Sequence, residues 1–203
     1  IFIRNTKQSV IGGKTMELER MMSVAKNELP AASKALLPED IPQLVTWLSS
    51  KDDDIRYQAL LLLQNRSAYF DDVYPYWNTF RNKLTSDNSY QRSIGLMLIA
   101  ENAKWDSENR MERTIDQYLL SLHDPKPITV RQCIQSLGKI ASAKPELGEK
   151  IASSLMSLDL AEVKETMRNS ILVDILKVLL AIRRQDSADA IDDLSFARFP
   201  ARC

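Results

Sequence analysis

The chain has 203 residues, 44% of them apolar and 27% charged, with 27 lysines and arginines against 27 aspartates and glutamates. That is enough chain for a sizeable core, and the composition excludes overall disorder. The zero balance disfavours a general nucleic-acid binder, whose field is usually basic.

Taken in chain order, residues 1–15 lack the long apolar stretch of a secretory signal. They read as a flexible leader or an appended segment, because residue 1 is not Met and Met16 opens a predicted helix, MELERMMSVAKNEL. With five glycines, eight prolines and abundant helix formers, the remainder points to helix rather than strand. Four amphipathic segments follow: IPQLVTWLSS, DDVYPYWNTFRNKLTS, ENRMERTIDQYLLSLH and ELGEKIASSLMSL. Each leads through a short polar turn into an apolar segment that carries an arginine near its start. Those arginines are Arg56, Arg92, Arg131 and Arg168, separated by 36, 39 and 37 residues. Three nearly equal spacings mark an internal repeat. The turns are rich in Asp, Ser and Asn, which cap the helix that follows and suit its positive end. In Asp52-Asp53-Asp54-Ile55-Arg56 the acids end one helix and start the next, and the leucines after them form the buried face.

The spacing, together with Asp54-Ile55-Arg56, the small Ala59 and Gly95 after the arginine, and Pro75 in a first helix, resembles the HEAT repeats of the HEAT/armadillo superfamily. The resemblance covers about residues 38–184. It is strongest in units one and three (VRQCIQSLGKIA), loosens in unit two, where Tyr90 and Gln91 precede Arg92, and is weakest in unit four, where the turn acid is displaced to Asp159 or Glu162. It implies an all-α, right-handed superhelical solenoid with second helices on the concave side. The expected layout is a solenoid over 16–184, with an N-terminal cap at 16–36 and repeats at about 38–67, 69–104, 108–144 and 145–184, followed by a tail at 185–203. A hairpin cannot bury both faces alone, so the units are expected to share one continuous core.

Two readings of the arginines stay open: an anion-binding ladder, or a structural inter-repeat ladder in which each bonds turn acids and carbonyls. The second is favoured, with Arg56 facing Asp52 or Asp54. In the aromatic run YFDDVYPYWNTF, Phe70, Tyr74 and Trp77 share a helical face and read as core. Tyr76 lies off that stripe and is a candidate contact residue. Polar positions on the second helices, Tyr57, Gln64, Gln132, Gln135 and Lys139, are the other candidates for partner binding. Cys133 reads as a buried thiol and Cys203 as a frayed terminal one, usage that suits a reducing compartment.

No catalytic centre is evident. His123, the single histidine, sits at a helix end, no His/Cys cluster has metal-ligand spacing, and no GxSxG elbow or P-loop occurs. Gly12-Gly13-Lys14-Thr15 lacks a phosphate loop's first glycine and preceding strand. The expected function is therefore a non-catalytic scaffold, without cofactor or metal, that binds a protein partner in its concave groove and not nucleic acid. The longest apolar stretch, ILVDILKVLLAI, contains Asp174 and Lys177 and is too short for a membrane span, so a cytoplasmic location is expected and the Asn65-Arg66-Ser67 sequon reads as accidental.

One enzyme alternative is an alkylation-repair DNA glycosylase, because some of these have HEAT-like repeats and use tryptophans with an Asp; Trp47, Trp77 and the Trp105-Asp106 pair are the matching residues. Residues 38–125 hold 9 basic and 14 acidic residues, and residues 126–184 hold 10 and 6. That asymmetry would orient a partner with a basic end and an acidic end. SILVDILKVLLAIRR is apolar on nearly every side, so a homodimer contact or the tail, anchored by Leu194, Phe196 and Phe199, is expected to cover it.

Overall fold

The computed structural model describes residues 17–161 and 163–198, with side chains as far as 185. Every regular element among them is a helix. Two short helices, α1 (Leu18–Met22) and α2 (Leu29–Lys34), precede four hairpins. The hairpins are α3 (Ile41–Trp47) with α4 (Asp53–Ser67), α5 (Trp77–Lys83) with α6 (Ser89–Asn102), α7 (Arg110–Leu119) with α8 (Pro127–Ala143), and α9 (Gly148–Met156) with α10 (Glu165–Arg198). The expected leader at 1–15, Met16, Glu162, Phe199 and Cys203 lie outside the described residues.

The opening of α4 shows how the turns work. Asp52 is the N-cap, its carboxylate accepting from the Asp54 and Ile55 N–H groups at 2.9 and 3.2 Å. Asp53 and Asp54 then occupy the first turn, at the positive end of the helix dipole. Further along α4, Ala59, Leu60, Leu62 and Leu63 are buried. Prolines sit where a missing N–H costs nothing. Pro38 and Pro145 open single 3-10 turns, and Pro127 opens α8. Pro75 also belongs to a 3-10 turn, Tyr74–Tyr76, just ahead of α5, and so lies outside the first helix in which the sequence pattern placed it.

The second helices form one continuous layer. α4 packs on α6, α6 on α8, and α8 on α10. α2 packs on α4. The core runs through the stack, with Trp77, Phe80, Tyr118, Leu98, Ile99, Leu137 and Ile140 all fully enclosed. Tyr74 and Trp77 meet edge to face at 5.7 Å, while Phe70, expected on the same stripe, is half exposed beneath the Arg66 guanidinium at 3.6 Å. At the far end α10 continues past residue 184 to Arg198 as one unbroken helix, so the chain does not reverse at the expected tail boundary.

Gly95 sets the spacing of the second hairpin. A Cβ there would lie 2.7 Å from the Phe80 carbonyl oxygen and 3.1 Å from the Lys83 Cβ. At Gly138 a Cβ would make only an ordinary contact, 3.5 Å from Val178. Gly95→Ala is therefore expected to cost about 1–3 kcal/mol by overpacking. Gly138→Ala is expected to gain about 0.5–1 kcal/mol, the usual benefit in a helix interior. Chemical denaturation of the two variants checks this, and equal effects would show that the α5–α6 approach is not tight.

Candidate functional site

Three of the four arginines bond atoms of turns, and the fourth bonds a carboxylate on a helix. Arg56 donates to the Ser50 carbonyl at 2.9 Å and to Asp53 at 2.5 Å, not to Asp52, which is committed to capping, nor to Asp54. Arg92 holds Asp124, in the turn of the next repeat, through Nε and Nη2 at 2.5 and 2.8 Å, and donates to the Ser86 and Asp87 carbonyls. Arg131 reaches across to Asp174 on α10 at 2.8 Å. Arg168 donates to the Val163 and Ala161 carbonyls of its own turn. Two of the four thus join neighbouring repeats, and two tie their own turn.

The Asp124 carboxyl would be raised by burial. The Arg92 guanidinium and the Lys126 N–H outweigh that and hold it below the usual carboxylate range. Asp106 is held low in the same way: burial opposes the charge, but the Met111 N–H, the Tyr74 hydroxyl and the Arg110 N–H stabilise it. Those three donors lie at 2.8 Å, and Lys144 is 3.5 Å away. Asp106 therefore caps the start of α7. The Tyr74 phenol, buried and bonded to that carboxylate, is pushed up to about 12. Trp105 donates to the Ser67 carbonyl at 2.8 Å and pins the inter-repeat loop onto α4. Cys133 is fully enclosed, and burial pushes its thiol up. His123 is exposed at the end of a 3-10 turn, Leu120–His123.

What the second helices leave open is a groove of three adjoining hollows. The first, of about 580 Å³, lies over α4, α6 and the start of α8, between Tyr57, Leu61, Tyr90, Met97, Ile128 and Gln132. Gln64, Met97 and Gln132 are shared with a small middle hollow of about 140 Å³. Glu101, Gln135 and Lys139 then lead into a third, of about 540 Å³, that reaches Lys104, Lys177 and Ala181. Tyr57, Tyr90 and Ile128 are 51%, 62% and 63% exposed, which is unusual for large apolar groups lining a hollow. One end carries Asp54, which has no ion-pair partner among the described residues, and Asp53; the other carries Lys104, Lys139 and Lys177, with Lys139 paired to Glu101.

Of the candidate contact residues, Tyr57, Gln64, Gln132, Gln135 and Lys139 line this groove. Tyr76 does not: it is half-buried against the core in the 3-10 turn before α5. Gln135 donates to Asp174 at 3.0 Å, so its amide is already engaged. Tyr90, Met97, Ile128 and Glu101 were missed. For Tyr90 and Ile128 the available signal was an apolar residue in the first turn of a second helix, two or three positions before the arginine. Also missed was Arg66, which is buried, grips Asp72, and donates to the Ser33 and Lys34 carbonyls at the end of α2. Away from the groove, the described part of α10 shows an apolar stripe of Leu172, Val173, Leu176 and Leu180, 41–52% exposed.

No protein-family model matches the chain, and no curated protein matches it. Among solved structures it is similar to an engineered protein at 17% identity, covering 91% of this chain and 83% of that one with a TM-score of 0.55. A second engineered protein matches at 16% identity over 80% of this chain and 42% of that one, TM-score 0.51. A designed armadillo repeat protein in complex with the peptide (KR)4 aligns at 12% identity over 80% of each chain, TM-score 0.49. The fold is an all-α solenoid of stacked helical hairpins. No helix among the described residues is long and apolar enough to cross a membrane.

Asp124→Asn leaves the half-buried Arg92 without its counter-charge, and losing charge-assisted hydrogen bonds of this kind is expected to cost about 1.5–3 kcal/mol. Because the Asp124 pKa is depressed in the fold, its contribution is complete above the ordinary carboxylate value and is lost as pH falls through the folded pKa. The stability gap between wild type and variant is therefore expected to be widest at neutral pH and to shrink below about pH 4. Urea titrations at several pH values check this; a gap independent of pH would show that the pair carries no linked proton.

Proposed function

We propose that the chain is a non-catalytic scaffold that holds an extended segment of a protein partner in the groove along α4, α6, α8 and α10. The observation that carries this reading is the run of half-exposed Tyr57, Tyr90 and Ile128 over a continuous, open channel. Tyrosines give large contact area with a polar tip, which suits an anchor at a wet interface. Gln64 and Gln132, whose Nε2 groups donate to Glu101 at 3.5 Å and Ser136 at 3.3 Å, present their amide oxygens to an extended backbone along the channel. The carboxylates at one end and the lysines at the other favour one orientation of the segment, basic end toward Asp54 and acidic end toward Lys177. A catalytic reading has less support, because the Asp106 carboxylate that a glycosylase would need is occupied by three donors and a lysine, and the Cys133 thiol is enclosed.

The test is a peptide array probed with wild type and with a Tyr90→Ala/Ile128→Ala variant, followed by solution titration of the peptides retained. Removing two anchors of about 1–2 kcal/mol each is expected to weaken binding by roughly a hundredfold. Identical binding by wild type and variant would remove the groove as the contact surface. Affinity capture from extract with the same pair then identifies the partner.

A second reading, self-assembly, is favoured by the exposed stripe on α10. Sedimentation of wild type beside Leu176→Glu/Leu180→Glu tests it. Association in wild type and not in the variant is expected, and a monomeric wild type at every concentration would discard it.

A further inference from the structure

A fourth hollow, of about 710 Å³, lies outside the groove, between the turns of the first two repeats. Lys83, the last residue of α5, forms part of its wall and is only 9% exposed. Its Nζ donates to the Ser49 hydroxyl at 3.0 Å and to the Gln91 side-chain oxygen. No carboxylate among the described residues pairs with it. A buried ammonium normally has a counter-charge, because desolvation penalises an unpaired ion heavily. Here burial, and then the nearby Arg56 guanidinium, push the Lys83 pKa below the usual lysine range.

The rest of the wall adds to the positive charge. Lys51 lines the same hollow, and no carboxylate among the described residues pairs with it. Arg56 also lines it, but its charge is met by Asp53 at 2.5 Å. Three cations against one carboxylate leave an excess of two positive charges. Hydroxyl donors are at hand as well. The Ser50 and Ser86 oxygens accept from the Asp52 and Asn88 N–H groups, at 3.1 and 3.3 Å, which leaves each hydroxyl hydrogen free to point into the hollow.

We propose that this hollow is an oxyanion site that takes a dianion of the phosphate class, held by Lys83 and Lys51 with the Ser50 and Ser86 hydroxyls. Two uncompensated cations match two negative charges, and a phosphate presents several acceptor oxygens to converging donors. The anion is supplied either as free phosphate or as a phosphoryl group on a larger ligand. The site stands independently of the groove reading, because neither lysine lines the groove.

The experiment is calorimetric titration of inorganic phosphate into the full chain at fixed ionic strength, with thermal unfolding followed in parallel. Wild type is expected to bind one phosphate and to gain thermal stability that chloride does not reproduce, since a ligand bound only to the folded state stabilises it. Lys83→Met, which keeps the buried stem and removes the charge, is expected to abolish phosphate binding while unfolding no earlier than wild type in chloride. Lys51→Gln, at an exposed position, is expected to weaken binding at least tenfold without touching the fold, and it serves as the test should Lys83→Met fail to fold. Titration with O-phosphoserine separates the sources: affinity equal to or above that of phosphate assigns the site to phosphorylated ligands, and weaker affinity assigns it to the free ion. No phosphate binding by wild type, or equal binding by wild type and Lys51→Gln, overturns the proposal.

Discussion

The second helix of each hairpin must bury two faces, and its own hairpin partner covers only one. α8 shows the consequence: Val130, Ile134, Leu137 and Ile140 are enclosed because α6 lies on one side and α10 on the other, besides the hairpin helices. Stacking is thus the condition under which each unit folds at all. It also dictates the ends. At the N-terminal end α2 fills the place of a preceding helix, and Gln58 and Arg66 of α4 donate to the carbonyls that close α1 and α2. At the other end α10 has one neighbour in the layer among the described residues, and its stripe of Leu172, Val173, Leu176 and Leu180 is 41–52% exposed.

Apolar stacking sets no register, and polar groups buried at the joints do. A hairpin that slipped along its neighbour would strand the Arg92 guanidinium away from Asp124, or Asp174 away from Arg131 and Gln135. An unpaired buried charge costs more than the slip could recover. Asp106, Arg66 and the arginines at the turns are satisfied by short-range donors and acceptors, so the joints resist sliding while the leucine layer supplies the attraction.

How far the sequence could be read follows from this division. The period was legible because the joint arginines recur at nearly fixed spacing, and the helix starts were legible because capping chemistry is local. The partner of Arg56 was not. Three consecutive acids compete for it, and backbone geometry decides: the N-cap consumes Asp52, helical spacing brings Asp53 round to the arginine, and Asp54 points away. Tyr76 was misplaced because a 3-10 turn at Pro75 rotates the aromatic run relative to a continuous helix. Asp174 looked like a blemish in an apolar helix, since its partners lie 43 and 39 residues back. Lys83 carried no signal in the sequence, because its burial is produced by the turn of another repeat. Five of the groove residues, Tyr57, Gln64, Gln132, Gln135 and Lys139, were found from a simple rule, polar positions on second helices. The apolar ones escaped it because the rule assigned every apolar residue to the core.

The groove and the cationic hollow share a wall, for Asp53, Arg56 and Tyr90 line both. The Arg56 guanidinium lies 5.3 Å from the centre of the Tyr90 ring, so the ring that would anchor a partner also rests on the cation that faces the anion. An anion in the hollow draws on the same positive charge that now answers Asp53. Any shift of Arg56 toward it would loosen the Arg56–Asp53 contact and move the support beneath Tyr90. Binding free energies at two sites that share a residue in this way are coupled, and the coupling acts equally in both directions. A partner bearing a phosphoryl group one or two residues from an aromatic or aliphatic anchor would engage both sites with a single short segment. A partner lacking that group would feel the anion only through Arg56. On the proposed reading, selectivity for a partner would concentrate in the first repeat pair, because there an apolar channel, a carboxylate and two lysines without ion-pair partners among the described residues converge on one arginine.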